Sequence, residues 1–151
     1  MNREVNILEV GPRDGFQNLK QMLTTEQKLE IIDGLINAGI KELEVTSFVS
    51  PKAIPQMADS KKIAKYCIEK YPEAKIYALI PNLKGAENAW NSGIRHVSYV
   101  ISLSESHNKA NINRTHDESF AELKKLIDAY PDWDFTCFKR FDNCYILLLN
   151  S

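Results

Sequence analysis

The stretch Glu9-Val10-Gly11-Pro12-Arg13-Asp14-Gly15-Phe16-Gln17-Asn18 sets a guanidinium and a carboxylate side by side between two glycines. Val5 to Val10 ahead of them is a short run rich in β-branched residues, which reads as a strand closed by Gly11-Pro12. Arg13 and Asp14 therefore fall just past a strand's carboxyl end, where parallel α/β folds bind their ligands. An exposed pair of opposite charges contributes only about 0–1 kcal/mol, a poor reason to place one in a tight turn. As a site the pair makes sense. Asp14 offers a hard oxygen to a divalent cation, and Arg13 offers donors to a carboxylate or a developing oxyanion. The plainer alternative is a turn in which Asp14 bonds local backbone and Arg13 is solvated.

A second strand carries further acids. Glu42 and Glu44 alternate with Leu43 and Val45 and so share one face. Parallel strands are normally apolar on both faces, which makes an acid inside one unusual. Glu44, followed by Thr46, Ser47 and Phe48, is placed to point into a barrel mouth beside Asp14. There it either orients Arg13 or a metal-bound water, or forms a buried ion pair with a lysine or arginine. After a third strand, Pro81-Asn82-Leu83-Lys84-Gly85 opens a helix whose N-terminus suits an anion, with Lys84 adding charge. Against that, Asn82 serves equally as an N-cap with Lys84 solvated. Ser102 to Asn108 reads as a polar loop holding His107, while His96 and His116 have no partner at metal-ligand spacing. No Walker loop, GxGxxG or HExxH is present, and Cys67 falls on the apolar face of a helix.

The elements that must position these residues alternate along the chain. Thr24 or Thr25 caps a helix with apolar residues at Leu29, Ile32, Leu35 and Ile36, ended by Gly39. Strands follow at Ile40 to Phe48, Lys75 to Ile80 and His96 to Ser102, and Asp134 to Phe138 opens a fifth. Helices fall at Ser60 to Tyr71, Leu83 to Trp90 (closed by Gly93) and Thr115 to Tyr130. The last has Phe120, Leu123, Leu126 and Ile127 on one face. Alternation with short connections predicts a parallel sheet with right-handed crossovers. Both an open doubly wound sheet and part of a (β/α)8 barrel fit. Beyond Phe138 the rhythm stops, and the chain ends on the apolar run Cys144 to Leu149, which is either a final strand or a tail foreign to the fold.

Composition narrows the function classes. The 151 residues carry 19 Lys+Arg against 20 Asp+Glu, a balance that argues against a nucleic-acid or anionic-membrane binder. No apolar run approaches the roughly 18 residues of a membrane span, and a strand starting near Val5 leaves no space for a leader. Three cysteines without CxxC spacing point to reduced thiols and a cytoplasmic setting.

Taken in order, Glu9 to Asn18, Glu44 to Lys52, Pro55-Gln56-Met57, Pro81 to Gly85, Ser104 to His107 and Asn111-Ile112-Asn113 resemble the hydroxymethylglutaryl-CoA lyases, at family-like spacing. The resemblance runs from about Val5 to about Thr136. Isopropylmalate and homocitrate synthases share the Arg-Asp-Gly turn but follow it with Glu-Gln, where this chain has Phe16-Gln17-Asn18. The resemblance implies an α/β fold, a partial TIM (β/α)8 barrel of about four βα units and the start of a fifth strand. It also implies metal-dependent cleavage of 3-hydroxy-3-methylglutaryl-CoA to acetyl-CoA and acetoacetate, with Mg2+ or Mn2+. On that basis Asp14 is a metal ligand, Arg13 stabilises the thioester oxygen as it becomes an enolate, and Glu44 is a supporting catalytic carboxylate. Gln17, Ser47, Asn82 and Lys84 then fall near the substrate or CoA. The implied partners are an acyl-CoA thioester and further protein copies, associated as a homo-oligomer or through open sheet edges.

Departures set further expectations. A (β/α)8 barrel takes about 250 residues, and the family's His-x-His metal pair, metal-binding Asn and mobile-loop Cys have no counterpart here. Cys137 and Cys144 lack that loop's Gly-rich context. Residues 1–136 are expected to form the amino-terminal half-barrel, and 137–151 an atypical tail from a shifted reading frame or a truncation. One carboxylate does not make an octahedral site, so the isolated chain is expected to be inactive. Two other readings remain: a non-catalytic half-barrel remnant or assembly module, and a Claisen-type acyl-CoA synthase of the same superfamily.

Overall fold

Two threonines start the longest helices by the same chemistry. The Thr24 hydroxyl accepts from Gln27 N, and the Gln27 side chain accepts in return from Thr24 N, which begins α1 (Thr25–Asn37). Thr115 and Glu118 repeat the exchange at α5 (His116–Ala129). Each cap satisfies backbone donors that a helix start leaves unpaired and contributes about 1 kcal/mol. At the far end of α1 the chain turns through Gly39 at φ +99°, a left-handed conformation that favours glycine.

The computed structural model describes residues 6–141 and 144–148, with side chains as far as residue 136 apart from Asn111. Six strands form one sheet: β1 (Leu8–Glu9), β2 (Glu42–Ser47), β3 (Lys75–Leu79), β4 (His96–Ser102), β5 (Asp134–Phe141) and β6 (Cys144–Leu148). β1 to β5 lie side by side in chain order and run parallel. A doubly wound sheet reverses its strand order at a switch point, and this order never reverses, so the progression is that of a barrel. Between strands come α1, α2 (Ser60–Lys70), α3 (Leu83–Asn91), α4 (Glu105–Ile112) and α5. Leu43, Val45, Ile76, Ala78, Ile80, Val97, Tyr99 and Ile101 pack outward with Ile32, Ile63, Cys67, Ala89 and Leu126 as the core. The alternate residues line the inner face. Among the described residues no helix is long and apolar enough to cross a membrane.

Several local expectations are corrected. β1 is two residues long, and Val5 lies outside the described residues. Ser104 to Asn108 is not a loop: the Ser104 hydroxyl accepts from His107 N and starts α4. This helix escapes a periodicity search because its sequence, ESHNKANI, has no apolar stripe. Phe120 and Ile127 do not join Leu126 in the core and stay 45% and 39% exposed, because the sheet side of α5 is filled by Leu123 and Leu126. The terminal run pairs with β5 antiparallel, Cys137 opposite Leu148 through Phe141 opposite Cys144, and so breaks the parallel rhythm.

A buried lysine ties the first loop to this frame. Lys28 on α1 is 2% exposed; its Nζ donates to Gln56 O and to both oxygens of Asp59 at 2.9 and 3.1 Å. Thr25 donates to the same carboxylate at 2.8 Å, and Gln56 Nε2 donates to Gln21 O at 2.6 Å. Removing one partner of a buried pair costs about 3–5 kcal/mol. Lys28→Ala should therefore lower the unfolding free energy by about 3 kcal/mol in urea titration. Lys65→Ala, whose pair with Glu69 is exposed on both sides, should change it by less than about 0.5 kcal/mol.

Candidate active site

Beyond β1 the backbone coils through Gly11–Gly15 as one wide helical turn instead of a tight loop, with Pro12 at its start. Val10 O accepts from both Arg13 N, at 3.1 Å, and Asp14 N, at 2.7 Å. Pro12 has no N–H to satisfy and a preset φ, which suits it to this position. The turn lays Arg13 down onto β2 and leaves it only 7% exposed. Its Nε donates to Glu44 Oε2 at 2.5 Å, and its Nη1 donates to Asp14 Oδ1 at 2.7 Å. Glu44 is fully buried, whereas the Asp14 side chain is 41% exposed. One guanidinium is thus held between a carboxylate below and another at the rim.

β2 aims Glu44 by an irregularity. The register against β3 shifts between Glu44, opposite Tyr77, and Thr46, opposite Ala78. The extra residue turns the Thr46 hydroxyl toward α2, where it donates to Ser60 Oγ at 2.9 Å. Glu44 stays on the inner face beneath Arg13. Bulges commonly re-aim side chains beside sites, and nothing in a strand's alternation reveals one.

Burial pushes the Glu44 carboxyl up from its ordinary value. Arg13 and the facing Ser98 hydroxyl favour the charged form but do not fully offset that loss of water. Glu44 Oε1, Ser47 Oγ, Ser98 Oγ and Ser102 Oγ are buried and make no hydrogen bond of ordinary geometry among the described residues. Each orphan costs about 1–3 kcal/mol, a cost that marks the inner face as a functional surface.

Arg13, Asp14, Gln17 and Asn18 form the polar wall of a cleft of about 500 Å3, and Val49, Ile54, Ile80, Pro81, Val100 and Ile112 form its apolar wall. The geometry therefore brings together Arg13, Asp14, Glu44 and Gln17. Ser47 is buried at the end of β2, where its carbonyl accepts from Ser60 Oγ at 2.7 Å. Asn82 caps α3 by accepting from Gly85 N at 2.9 Å. Lys84 pairs with Glu87 at 2.6 Å, with its own side chain 76% exposed. None of these three lines the cleft. Sequence reasoning missed Ser98, although HVSYVIS does alternate, with Ser98 and Ser102 on the face opposite Val97, Tyr99 and Ile101.

The raised carboxyl fixes a sign. A group whose folded pKa lies above its unfolded value stabilises the fold below the unfolded pKa, and that stability is lost as pH rises through the folded pKa. For Glu44 the loss begins near 4.5 and extends upward. The difference in unfolding free energy between the natural chain and Glu44→Gln should therefore shrink as pH rises from 4 to 8. A difference that grows with pH would mean that the Arg13 pair outweighs burial.

The HMGL-like family model matches residues 4–134. The mitochondrial hydroxymethylglutaryl-CoA lyase of Macaca fascicularis is 45% identical over 127 residues, 84% of this chain and 39% of that protein. The Bacillus subtilis hydroxymethylglutaryl-CoA lyase YngG is 42% identical over 124 residues, 82% of this chain and 41% of that protein. Among solved structures, the Brucella melitensis HMG-CoA lyase superposes with TM-score 0.83 at 36% identity, covering 90% of this chain and 48% of that one. The A. baumannii HMG-CoA lyase in complex with coenzyme A and 3-methylmalate gives 0.81 at 34%, covering 87% and 43%. The chain spans about two fifths of the length of these curated relatives, and its five parallel strands with their helices form part of the barrel its solved neighbours share. On this evidence the chain belongs to the HMGL-like family.

Proposed function

We propose that the cleft is the amino-terminal part of a hydroxymethylglutaryl-CoA lyase site, which splits 3-hydroxy-3-methylglutaryl-CoA into acetyl-CoA and acetoacetate. The observation that carries this reading is the Arg13 guanidinium, fixed by Glu44 at 2.5 Å and Asp14 at 2.7 Å beside an open cleft. Cleavage turns the thioester carbonyl into an enolate, and a fixed cation beside that oxygen stabilises the charge as it develops. Glu44 orients the cation from below, and Gln17 meets the substrate from the polar wall. Ser47, Asn82 and Lys84 are assigned to substrate or CoA by family resemblance alone.

A divalent cation, Mg2+ or Mn2+, belongs to this reading. The half-exposed Asp14 carboxylate fits one coordination position. Among the described residues no three His, Cys, Asp or Glu side chains converge on a common point. When bound, such an ion polarises the alcohol oxygen of the substrate.

The acyl-CoA class of substrate is supported by the coenzyme A complex of a neighbour. Among the described residues β1 pairs only with β2, and an open strand edge favours association with another chain. Residues 1–136 are assigned to the family barrel and 137–151, which begin within β5, to an atypical tail. A cytoplasmic setting is supported by the free, buried Cys67, although several relatives are named mitochondrial.

Acetoacetate release decides the matter. The isolated chain with Mg2+ should show no turnover. A fusion of residues 1–134 to the remaining barrel of the B. subtilis relative should turn over, and Arg13→Lys in that fusion should lower kcat by about 10²–10³. A fusion whose rate is indifferent to Arg13 would remove the basis of the assignment.

A further inference from the structure

Two fully buried oxygens, on β2 and β4, make no hydrogen bond of ordinary geometry among the described residues. Glu44 Oε1 comes from β2 and Ser98 Oγ from β4, and both residues are 0% exposed. In a barrel interior each layer of side chains is drawn from alternate strands, which puts the residues of β2 and β4 at one level and those of β3 and β5 at the next. The register runs Glu44–Tyr77–His96, so Ser98 stands two residues along β4 from the row of Glu44, the direction of offset that strand stagger introduces across a barrel. The Tyr77 and Thr136 hydroxyls interact across β4 as Glu44 and Ser98 do across β3.

We propose that Ser98 is a positioning residue: its hydroxyl donates to Glu44 Oε1 and so holds Oε2 on Arg13 Nε. A carboxylate anchored at one oxygen can pivot about its own axis, whereas one anchored at both cannot. Arg13 grips Oε2, and Ser98 is the donor that the fold supplies to Oε1 from the opposite side. The charged groups facing this carboxyl are Arg13, in contact with it, and Asp14, beyond the guanidinium. The role of Ser98 in catalysis rests on the lyase reading. Its hold on Glu44 does not.

The Arg13 Nε–H resonance of the 15N-labelled full chain reports the bond to Glu44 directly. Ser98→Val removes the donor, and Ser98→Thr, which matches valine in size at this buried position, keeps the hydroxyl. The expected result is an upfield shift of Arg13 Nε–H with roughly three- to tenfold faster solvent exchange in Ser98→Val, both restored in Ser98→Thr. Should the valine variant fail to fold, Ser98→Ala is read in the same way. An Arg13 resonance and exchange rate unchanged in a folded Ser98→Val or Ser98→Ala chain overturns the proposal, even if melting temperature falls, since a packing role moves only the melt. Failure of acetoacetate release in the fusion would leave this readout intact, so the two readings fail separately.

Discussion

Burying an arginine requires an anion beneath it, and Glu44 is that anion. The pair is costly to form, because both groups leave water and their attraction repays this only with good geometry. The geometry here meets that demand. The guanidinium is bonded to Glu44 at 2.5 Å through Nε and to Asp14 at 2.7 Å through Nη1. Without Glu44 the first turn would present a flexible, hydrated arginine. With it, a cation is fixed in the wall of the cleft before any ligand arrives.

The frame follows from that requirement. The wide turn over Gly11–Gly15 lowers Arg13 onto the strand, and the register shift in β2 separates Glu44, facing in, from Thr46, facing α2. The Lys28–Asp59–Gln56 cluster then anchors the loop that leaves the turn, through the Gln56 bond to Gln21 O. These contacts all sit on the carboxyl side of the first two strands. A stiff floor under one cation is what they achieve together.

Much of this was legible in the residues. Alternating short strands and capped helices announce a parallel α/β fold, and the caps at Thr24, Asn82 and Thr115 fall where side-chain chemistry places them. The element pattern alone left barrel and open sheet level, because only strand order separates them, and it was the family resemblance that pointed to the barrel. Glu44 stood out as an acid in a strand that ought to be apolar. Its two competing readings, orienting Arg13 and forming a buried ion pair, turn out to be one contact. Ser98 stayed hidden because a small hydroxyl in a strand looks neutral until its neighbours across the barrel are known. The exposure of Phe120 and Ile127 was equally hidden, since an apolar stripe on a helix does not say how wide the surface covering it is.

The most direct test of the central claim is a double-mutant cycle on unfolding free energy, with Arg13→Met, Glu44→Gln and the two combined. If the buried pair organises the site, the coupling between the two positions should be about 2 kcal/mol or more. A coupling near zero, with the two losses simply adding, would mean that Arg13 and Glu44 stand close without holding one another, and the account would fail at its base.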